Sequence, residues 1–366
     1  MRILVIGGGP AGLAFSMLMA ETDPKHHITV LERSEAHENP GWGVTLRVET
    51  LSFLDLEDLI GSSLQTLQGR ALRYRNTLVV DLPNPAQSSL RTLSRSALLK
   101  ALYQRVEELG VKLLFAMDGA RLTDAVLASF DLVIAADGAN STIRLRYTAA
   151  FQPHIELGKN WYVWLATEMP FHKLTILLVD DPVPLLAWGY KYTPTHSTFI
   201  VEMAEEAGRS SGILRGAPED SCRRLATAFK RELGGHSILF GKNLCWHRYA
   251  TVSCRKWCHR HIALIGEAAH TAHFSQGFGT MQAFEDALAL HAAFSNTTDV
   301  ECALEAYEQV QRPKVGLVQQ TASASMNWGE SILESAERHD EKRVSELIAA
   351  RWQNNSVTAG PLGLSR

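Results

Sequence analysis

Three short stretches of this sequence place glycines close to a carboxylate, a combination that can bind phosphates and sugar hydroxyls. The first stretch has Gly7, Gly9 and Gly12 at G-x-G-x-x-G spacing, and Glu32 follows about twenty residues after the last of these glycines. The glycines permit a tight turn and the close approach of a pyrophosphate, and the carboxylate accepts from a ribose hydroxyl. This pattern predicts a dinucleotide-binding site, and by itself it does not distinguish FAD from NAD.

The second and third stretches each put an acid next to a glycine at the end of an apolar run. Asp137-Gly138 follows one such run, and Glu267 follows another. Open α/β sheets bind their ligands at the carboxyl ends of parallel strands, which is where we expect both acids to stand. For Asp137 the alternative is a plain strand-to-helix turn, in which Asn140 or Ser141 caps the helix.

Two further features near these stretches suit an anionic ligand. Gly277 and Gly279 stand just before a predicted helix over residues 280–290, whose N-terminus favours negative charge. Arg95 follows the predicted N-cap Ser94, so it lies in a first helical turn, where the helix dipole opposes a cation. That placement is more easily explained if Arg95 faces an anion, although an ordinary surface arginine is the alternative.

The elements that must position these residues follow from hydrophobic patterning. Residues 2–6 and 28–31 have the pattern of buried strands on either side of the glycine turn and its helix. Residues 111–116 and 125–130 are predicted to be short strands. Residues 150–250 contain aromatic and β-branched runs bounded by Pro, Asp and Gly, which predicts an antiparallel sheet. The economical fold is therefore α/β, with a mostly β-domain inserted into a dinucleotide-binding fold.

The inserted region carries many aromatic side chains, which can line a pocket for a flat substrate or form ordinary core. Core is the more frequent role for any single one of them: Trp161, Trp164, Trp188, Tyr190 and Trp246.

Composition limits the classes of function. The 366 residues are 46% hydrophobic and 20% charged, which is ordinary for a globular protein of one or two domains. The net charge of −3 gives no reason to expect nucleic acid or an anionic membrane as a partner. The apolar residues after Arg2 end at Gly7, too early for a signal peptide, and no run is long enough to span a membrane. A cytoplasmic protein is the default expectation.

The cysteines do not predict a structural framework. There are five, an odd number that argues against a set of disulfides. Cys254, Cys258, His259 and His261 invite comparison with a zinc site, but no second ligand pair has matching spacing. We therefore expect no metal, and interpret this segment as a basic turn before a buried strand.

The three motifs, in this order on one chain, resemble those of the FAD-dependent aromatic hydroxylases, the single-component class A flavoprotein monooxygenases. The resemblance covers nearly the whole chain. The segments 41–44 and 268–275 look like the branch that contains the violacein-pathway tryptophan-type hydroxylase and the aryl-CoA hydroxylases. The run 197–202 leans toward the violacein enzyme, which suggests an indole-type or similarly fused aromatic substrate.

The resemblance implies a p-hydroxybenzoate hydroxylase-like fold, with a Rossmann-like FAD-binding domain, an inserted antiparallel β-sheet substrate domain and C-terminal helices. The implied division assigns residues 1–75, 92–150 and 255–295 to the FAD-binding domain. It assigns 76–91 and 151–254 to the substrate-binding domain, and 296–366 to the C-terminal helices. The oligomeric state is left open.

The resemblance also implies roles for particular residues. Glu32 is expected to hold the adenosine ribose of FAD, and Arg95 to meet the pyrophosphate. Asp137 and Gly138 are expected to serve the FAD phosphates and a transient NAD(P)H, and Glu267 to approach the ribitol. The backbone around Gly277 and Gly279 is expected near the pyrimidine edge of the flavin, with Arg33 and Arg47 as secondary candidates near the cofactor.

The implied reaction is NAD(P)H- and O2-dependent hydroxylation of an electron-rich aromatic ring through a flavin C4a-hydroperoxide. Such a ring often needs a base or a hydrogen-bond acceptor, and His270 and His273 are the nearest candidates by motif, although His270 is also suited to capping a helix. The chain departs from the family at Glu267, where the family has aspartate, so weaker FAD binding is one expectation. The alternatives are a non-catalytic protein that binds a pathway intermediate, an aryl-CoA hydroxylase, and an FAD-dependent reductase.

Overall fold

The computed structural model describes residues 1–35, 41–54, 56–84, 88–241, 244–295 and 297–353. The strands are β1 Arg2–Ile6, β2 His27–Leu31, β3 Gly43–Arg47, β4 Gln65–Thr66, β5 Gly69–Tyr74, β6 Thr77–Pro83, β7 Leu90–Ser94, β8 Lys112–Leu114, β9 Leu132–Ala135, β10 Pro153–Thr167, β11 Leu174–Val179, β12 Leu185–Lys191, β13 Ser197–Met203, β14 Ile238–Leu239, β15 His247–Cys254, β16 Cys258–His259 and β17 Ile262–Leu264. The α-helices are α1 Pro10–Thr22, α2 Val48–Phe53, α3 Glu57–Ile60, α4 Arg95–Glu108, α5 Asp124–Leu127, α6 Thr142–Arg146, α7 Thr148–Phe151, α8 Glu205–Ser210, α9 Pro218–Ala228, α10 Gly279–Phe294, α11 Val300–Glu337 and α12 Glu341–Gln353.

A six-stranded sheet forms the centre of the first core, in the order β16-β17-β9-β1-β2-β8. All neighbouring pairs are parallel except β16 with β17. Strand β9 is buried along its whole length and β1 is buried from Ile3 onward, because helices such as α1 cover the sheet. Continuous apolar runs in place of alternation are what such a covered parallel sheet requires.

A second, eight-stranded sheet has the order β14-β10-β13-β12-β11-β5-β6, with β15 added beside β10. Its pairs are antiparallel except β5 with β11. Side chains alternate between its two faces. On one face Phe199 packs near Phe229, which follows α9, and on the other Trp188 packs against Trp328 of α11. A small three-stranded sheet, β3-β7-β4, completes the set.

Helix α11 belongs to both cores. Near its start, Leu304 and Tyr307 are buried in the core of the parallel sheet, and near its end Trp328 and Ile332 are buried against the large sheet. Pro313 lies inside the helix between these two contacts. The predicted α/β fold with an inserted, mainly antiparallel sheet and C-terminal helices is confirmed by this architecture. Residues 296 and 354–366 of the predicted C-terminal unit lie outside the described residues.

Two sequence-based predictions concern the segment 125–130 and the domain boundary after residue 75. The predicted strand at 125–130 is wrong: the chain forms α5, because the Thr123 side chain caps this helical turn by accepting from the Val126 N–H. The predicted domain boundary after residue 75 falls in the turn between β5 and β6, where Arg75 and Asn76 have positive φ. Both of those strands lie in the large sheet.

No helix within the described residues combines the length and the apolar character needed to cross a bilayer.

Candidate active site

Four neighbouring parallel strands bring the sequence motifs to one edge of the first sheet. In the order β17, β9, β1 and β2, each strand pairs in register with the next, and all four end at the same side. Glu267 follows β17 after Ile265 and Gly266, Asp137 follows β9, Gly7 follows β1 and Glu32 follows β2. The three separated motifs therefore converge, which is the requirement for a single nucleotide site at this edge.

The glycine turn is fixed by close contacts at two positions and open at a third. Gly7 has φ +114°, and a Cβ there would lie 2.1 Å from the Ala136 carbonyl oxygen. A Cβ at Gly12 would lie 2.3 Å from the Gly7 carbonyl oxygen. At Gly9, the N-cap of α1, no described atom lies within 4 Å of the added Cβ position. The N-terminus of α1 therefore has open space beside a residue without a side chain, as a phosphate site requires.

The Glu32 carboxylate is anchored on this turn. Its Oε2 accepts from the Gly8 N–H at 2.8 Å, and its Oε1 accepts from the Ser34 N–H at 2.8 Å. The Tyr103 hydroxyl donates to the Gly8 carbonyl at 3.0 Å from the other side. Each carboxylate oxygen keeps a second lone pair for another donor. The neighbouring Arg33 is exposed.

Asp137 caps the start of α6 with one carboxylate oxygen and leaves the other oxygen without a partner among the described residues. Its Oδ2 accepts from the Thr142 backbone N–H at 2.7 Å, while Ser141 is the N-cap of α6 and accepts from the Arg144 N–H. Its Oδ1 is buried and has no hydrogen-bond partner among the described residues. A buried acceptor without a donor is unusual in a protein, and a ligand hydroxyl or an N–H group would satisfy it. Gly138, with φ +82°, has open space around it.

Arg144 holds the second motif against the third. Its side chain is buried, and it donates from Nη1 to the Ala268 carbonyl at 2.8 Å and from Nη2 to the Ala139 carbonyl. Five donors in a rigid planar fork allow one guanidinium to bridge two backbone segments. Apart from its position after the Asp-Gly motif, nothing in the sequence indicates this role for Arg144.

The opposite charges of Glu267 and Arg95 interact across the site. The surrounding protein raises the pKa of Glu267, and Arg95 and His270 oppose that shift. The Glu267 side chain is nevertheless exposed to solvent, so its carboxylate is accessible to a ligand. Burial lowers the pKa of half-buried Arg95, and the charges of Glu267, Tyr103 and Glu32 oppose that shift. Arg95 therefore lies within reach of both acids that border the site.

The glycines before α10 are placed beside the third motif. Gly277 has φ +67°, and its carbonyl accepts from the Thr45 hydroxyl of β3 at 2.6 Å. The Glu267 Oε1 lies 4.0 Å from the Cβ position of Gly279, where α10 begins. Arg47, at the end of β3, is close enough to Glu285 of α10 to oppose the rise that burial causes in the pKa of that acid.

His270 belongs to a buried polar cluster behind the motif. Its Nε2 lies 2.7 Å from the Asp286 Oδ2, and its ring stacks on Trp257 at a centroid distance of 5.0 Å. Asp286 also accepts from the Gly266 N–H at 2.7 Å and from the Gln311 side chain at 2.9 Å. Asp286 was not singled out from the sequence, since an acid in a helix has no recognisable motif of its own.

His273 is buried on the opposite side, toward the large sheet. Its Nδ1 lies 2.8 Å from the Ser275 hydroxyl, and its Nε2 lies 3.9 Å from the Glu202 Oε2. Burial is the main reason that its pKa falls to about 3, so the imidazole is neutral at ordinary pH. Glu202 was also missed as a site residue, although a lone acid in the apolar run of β13 is a detectable signal.

The aromatic side chains of the large sheet divide between core and cleft. Trp188 is core, whereas Trp164 is 37% exposed and lies beside the backbone of Gly41. Half-buried Tyr162 lies near Phe274, with ring centroids 4.9 Å apart, and near Tyr249, at 5.9 Å. Burial raises the pKa values of both tyrosines and the charge of Glu267 adds to that rise, so these rings lie near the third motif.

Among the described residues no cluster of three or more His, Cys, Asp or Glu side chains is arranged to hold a metal ion. The arrangement fits FAD instead. Open space at Gly9, the unpaired Asp137 Oδ1 and the accessible Glu267 carboxylate are all features that a large dinucleotide with hydroxyls and phosphates would use.

Comparison with known proteins agrees with this geometry. The family model of the FAD binding domain matches residues 1–322. The chain is 36% identical to the 3-hydroxy-4-methyl-anthranilyl-[aryl-carrier protein] 5-monooxygenase of Streptosporangium sibiricum, over 90% of this chain and 89% of that protein. It is 30% identical to the protodeoxyviolaceinate monooxygenase of Chromobacterium violaceum, over 96% of this chain and 95% of that protein.

A longer relative is the salicyloyl-CoA 5-hydroxylase of a Streptomyces species, which is 32% identical over 90% of this chain and 65% of its own length. The chain thus spans about two thirds of that protein. Among solved structures, the tetrameric form of 2-methyl-3-hydroxypyridine-5-carboxylic acid oxygenase shares the fold, with a TM-score of 0.73 at 19% identity over 92% of both chains. The chain therefore belongs to the FAD binding domain family, as an FAD-dependent monooxygenase of the aromatic hydroxylase class.

Proposed function

We propose that this chain uses NAD(P)H and O2 to hydroxylate an electron-rich, fused aromatic substrate of the indole type. The observation that carries the proposal is the convergence of Gly7, Glu32, Asp137 and Glu267 at one sheet edge that faces a half-buried aromatic cluster. The indole-type substrate is supported by the similarity to the violaceinate monooxygenase, which runs along nearly the full length of both chains.

The first motif holds the adenosine and pyrophosphate parts of FAD. The turn formed by Gly7, Gly9 and Gly12 lets the pyrophosphate approach the free N–H groups of α1. Glu32 accepts from the ribose through the lone pairs that its backbone contacts leave. Arg95, whose charge interacts with those of Glu267 and Glu32, would supply the positive charge that the phosphates need.

The other motifs hold the rest of the cofactor. Asp137 offers its unpaired Oδ1, and Gly138 leaves room beside it for the FAD phosphates and the transient NAD(P)H. Glu267 would accept from the ribitol, and the backbone of Gly277 and Gly279, where α10 begins, would contact the pyrimidine edge. Arg33 and Arg47 would be secondary contacts at the margin of the cofactor. Arg33 is exposed, and the charge of Arg47 also acts on Glu285.

Bound FAD, once reduced, supplies the oxygen chemistry, and the protein supplies position and a dry site. Tyr162, Tyr249 and Phe274 form the apolar surface against which the substrate ring packs. The catalytic role predicted for His270 and His273 stays a prediction. Their contacts favour positioning, since His270 is bonded to Asp286 and His273 to Ser275.

The division of labour follows the two sheets. The parallel sheet and α10 hold FAD, and the eight-stranded sheet faces the substrate. The β5–β6 hairpin is assigned to the substrate unit because both strands pair within the large sheet.

The proposal is tested with the purified protein, its bound flavin and a panel of aromatic compounds that includes indole carboxylates. Consumption of NADH and of NADPH is followed with each compound, and products are examined by mass spectrometry after reaction under 18O2. The expected result is one 18O atom in an indole-type product, together with faster NAD(P)H consumption. Flavin reduction without any oxygenated product across the panel would contradict it and favour an FAD-dependent reductase. Failure of NAD(P)H to reduce the flavin would favour a non-catalytic binding protein.

The second candidate substrate is a single-ring aromatic acid linked to CoA or to a carrier protein. The names of two relatives state that one acts on a salicyloyl-CoA and the other on a carrier-linked anthranilyl group. The same panel separates it from the first when it also contains aryl-CoA thioesters and their free acids. Oxygen incorporation into the thioesters alone would favour this second candidate.

Replacing Glu267 with alanine is expected to raise the dissociation constant of FAD about ten- to hundredfold, because a hydrogen bond to a charged acceptor contributes about 1.5–3 kcal/mol. The Glu267→Asp variant, which keeps the acceptor, is expected to bind FAD at least as tightly as the native chain. Titration of the apoprotein by quenching of flavin fluorescence measures both constants. The exposed acid of α9 provides a control, Glu219→Ala, which should change nothing. Native affinity in the Glu267→Ala variant would show that this side chain does not contact the cofactor.

A further inference from the structure

The start of β3 is hydrogen-bonded to three separate parts of the molecule. These parts are the large sheet, the first residue of α4 and the segment that leads to α10. Residues 42–45 make all of these contacts, and none of them carries a role in FAD binding above. This short segment therefore connects the cofactor side of the proposed site with the substrate side.

On the side of the large sheet, two neighbouring side chains hold the backbone of Gly43. Its N–H donates to the Thr198 Oγ1 at 2.9 Å, and its carbonyl accepts from the Tyr190 hydroxyl at 2.8 Å. Tyr190 of β12 and Thr198 of β13 are paired directly across the two strands, so both side chains project from the same face. We call these two hydrogen bonds the Gly43 contact.

Gly43 is packed too tightly against the large sheet to carry a side chain. A Cβ at this position would lie 2.4 Å from the Tyr192 Cβ and 2.6 Å from the Thr198 Oγ1. The backbone of β3 therefore approaches the sheet more closely than a residue other than glycine would permit. One residue earlier, the Trp42 indole N–H donates to the Trp164 carbonyl of β10 at 3.2 Å. A third strand of the same sheet thus helps to hold the start of β3.

On the cofactor side, the same segment holds two parts of the proposed FAD site. The Trp42 carbonyl accepts from the backbone N–H of Arg95 at 2.7 Å, and Arg95 is the first residue of α4. The Thr45 hydroxyl donates to the Gly277 carbonyl at 2.6 Å. Arg95 and Gly277 are assigned above to the pyrophosphate and to the pyrimidine edge of the flavin. Both parts are therefore bonded to the chain within two residues of Gly43.

The surface proposed for the substrate lies on the face of the large sheet that holds Gly43. Thr198 and Glu202 are four residues apart in β13, so they project from one face, and Tyr162 of β10 pairs with Glu202. Tyr162 belongs to the aromatic surface proposed above for the substrate ring. Movement of Gly43 away from this face would therefore change the position of the flavin relative to that ring.

We propose that Tyr190 and Thr198 are positioning residues, which set the separation of FAD from the substrate ring by holding Gly43 against the large sheet. The inference rests on the proposed function, because the places of FAD and of the ring are taken from it. Oxygen transfer requires the reacting atoms to lie about 3–3.5 Å apart, and a misplacement of about 1 Å costs about a hundredfold in rate. Binding of FAD and its reduction by NAD(P)H do not require the ring at that distance.

Hydrogen exchange of the peptide that contains residues 41–47 measures how firmly β3 is held. Thr198→Val removes the hydroxyl at nearly constant shape, so the Gly43 N–H loses its acceptor. Protection of that amide is expected to fall about tenfold, as the loss of one hydrogen bond implies. Tyr190→Phe keeps the bond to Thr198 and is expected to lose less protection, and Thr198→Ser, which retains a hydroxyl, is expected to keep native protection. This measurement needs neither substrate nor turnover.

A second measurement follows the yield of product in the same variants, with the panel compound that the native chain oxygenates best. One NAD(P)H and one O2 give either one hydroxylated ring and water, or one hydrogen peroxide. Product per NAD(P)H is expected to fall about tenfold or more in Thr198→Val, and less in Tyr190→Phe, with the difference recovered as peroxide. The FAD dissociation constant and the rate of anaerobic flavin reduction are expected to stay native, whereas a general loss of structure would change both.

Two hydroxyls of the same sheet whose partners lie outside β3 provide matched controls. Tyr74 donates to the Asp180 carboxylate at 3.1 Å, and Thr167 donates to the Ser237 carbonyl at 2.8 Å. Tyr74→Phe and Thr167→Val remove the same groups as Tyr190→Phe and Thr198→Val. Both controls should keep the native protection of residues 41–47 and the native yield of product.

Native protection of residues 41–47 in Thr198→Val would overturn the proposal, and so would lost protection together with a native yield of product. If circular dichroism showed that Thr198→Val does not fold, Tyr190→Phe would decide in its place, by the same two measurements. A native chain that oxygenates no compound of the panel would instead refute the proposed function. Hydrogen exchange would then still decide whether Tyr190 and Thr198 hold Gly43 against the sheet.

Discussion

Alanine at position 9 is expected to leave the protein folded but to remove most of its affinity for FAD. The added Cβ meets no described atom within 4 Å, so it does not disturb the glycine turn or α1. It would instead occupy the space through which the pyrophosphate reaches the helix N-terminus. We expect the FAD dissociation constant of Gly9→Ala to rise by about a hundredfold, equivalent to about 2.7 kcal/mol. Equilibrium titration of the apoprotein measures this constant, and circular dichroism checks the fold.

Two other glycines make the comparison sharp. At Gly61 an added Cβ is equally free of contacts and the backbone has an ordinary φ of −52°, so Gly61→Ala should bind FAD normally. At Gly7 the φ of +114° and the carbonyl oxygen of Ala136 leave no room, so Gly7→Ala should fold poorly as well as lose flavin. An unchanged FAD affinity in Gly9→Ala would mean that the cofactor lies elsewhere.

Loss of the Asp286 carboxylate should cause the largest change in stability. Its two oxygens accept from the Gly266 N–H, the His270 ring and the Gln311 amide, in a site with no exposure to solvent. Asp286→Ala leaves three buried donors without an acceptor, and removal of one partner from a buried charged cluster costs about 3–5 kcal/mol. We expect the free energy of unfolding, measured by urea denaturation, to fall by that amount.

The control for Asp286 is an acid of the same type on the surface. Asp58 is exposed in the first turn of α3, and Asp58→Ala should change stability by no more than about 0.5 kcal/mol. A second variant, Asp286→Asn, keeps one acceptor oxygen and should lie between the two. If Asp286→Ala were as stable as the surface variant, the cluster could not be what holds the third motif on α10.

The nucleotide site was predictable because its motifs are local. The glycine spacing at Gly7, Gly9 and Gly12 predicts a turn whose geometry depends on a few neighbouring residues. The apolar runs before Asp137 and Glu267 predict the strands that precede these two acids. The convergence of these motifs then follows from the rule that parallel strands of one sheet end on the same side. Family membership and the class of reaction were within reach for the same reason.

The supporting residues were not predictable, because each joins segments that are distant in the sequence. Asp286 bonds Gly266 and Gln311, and Arg144 bonds the backbone of Ala268. No spacing rule connects such positions, since they become neighbours only when the helices pack. The membership of the β5–β6 hairpin in the large sheet likewise depends on the parallel pairing of β5 with β11, about a hundred residues away.

The wrong strand at 125–130 illustrates a competition between propensity and capping. Val126, Leu127 and Phe130 suit a strand, but Thr123 accepts from the Val126 N–H and starts a helical turn. Glu202 differs, because a single acid within the apolar residues of β13 is visible in the sequence and could have been singled out. Its partners Trp188 and His273 could be identified only from the folded chain.

Helix α11 has a mechanical consequence for the whole molecule. This helix of 38 residues contributes buried side chains to both cores, with Tyr307 in the first core and Trp328 in the second. Unfolding of either sheet would therefore remove packing contacts from α11, which also packs against the other sheet. The two halves should unfold in a single cooperative step. Helix α11 is weakest at Pro313, which has no backbone N–H to donate to the carbonyl four residues earlier. A hinge between the cofactor and substrate halves would bend there.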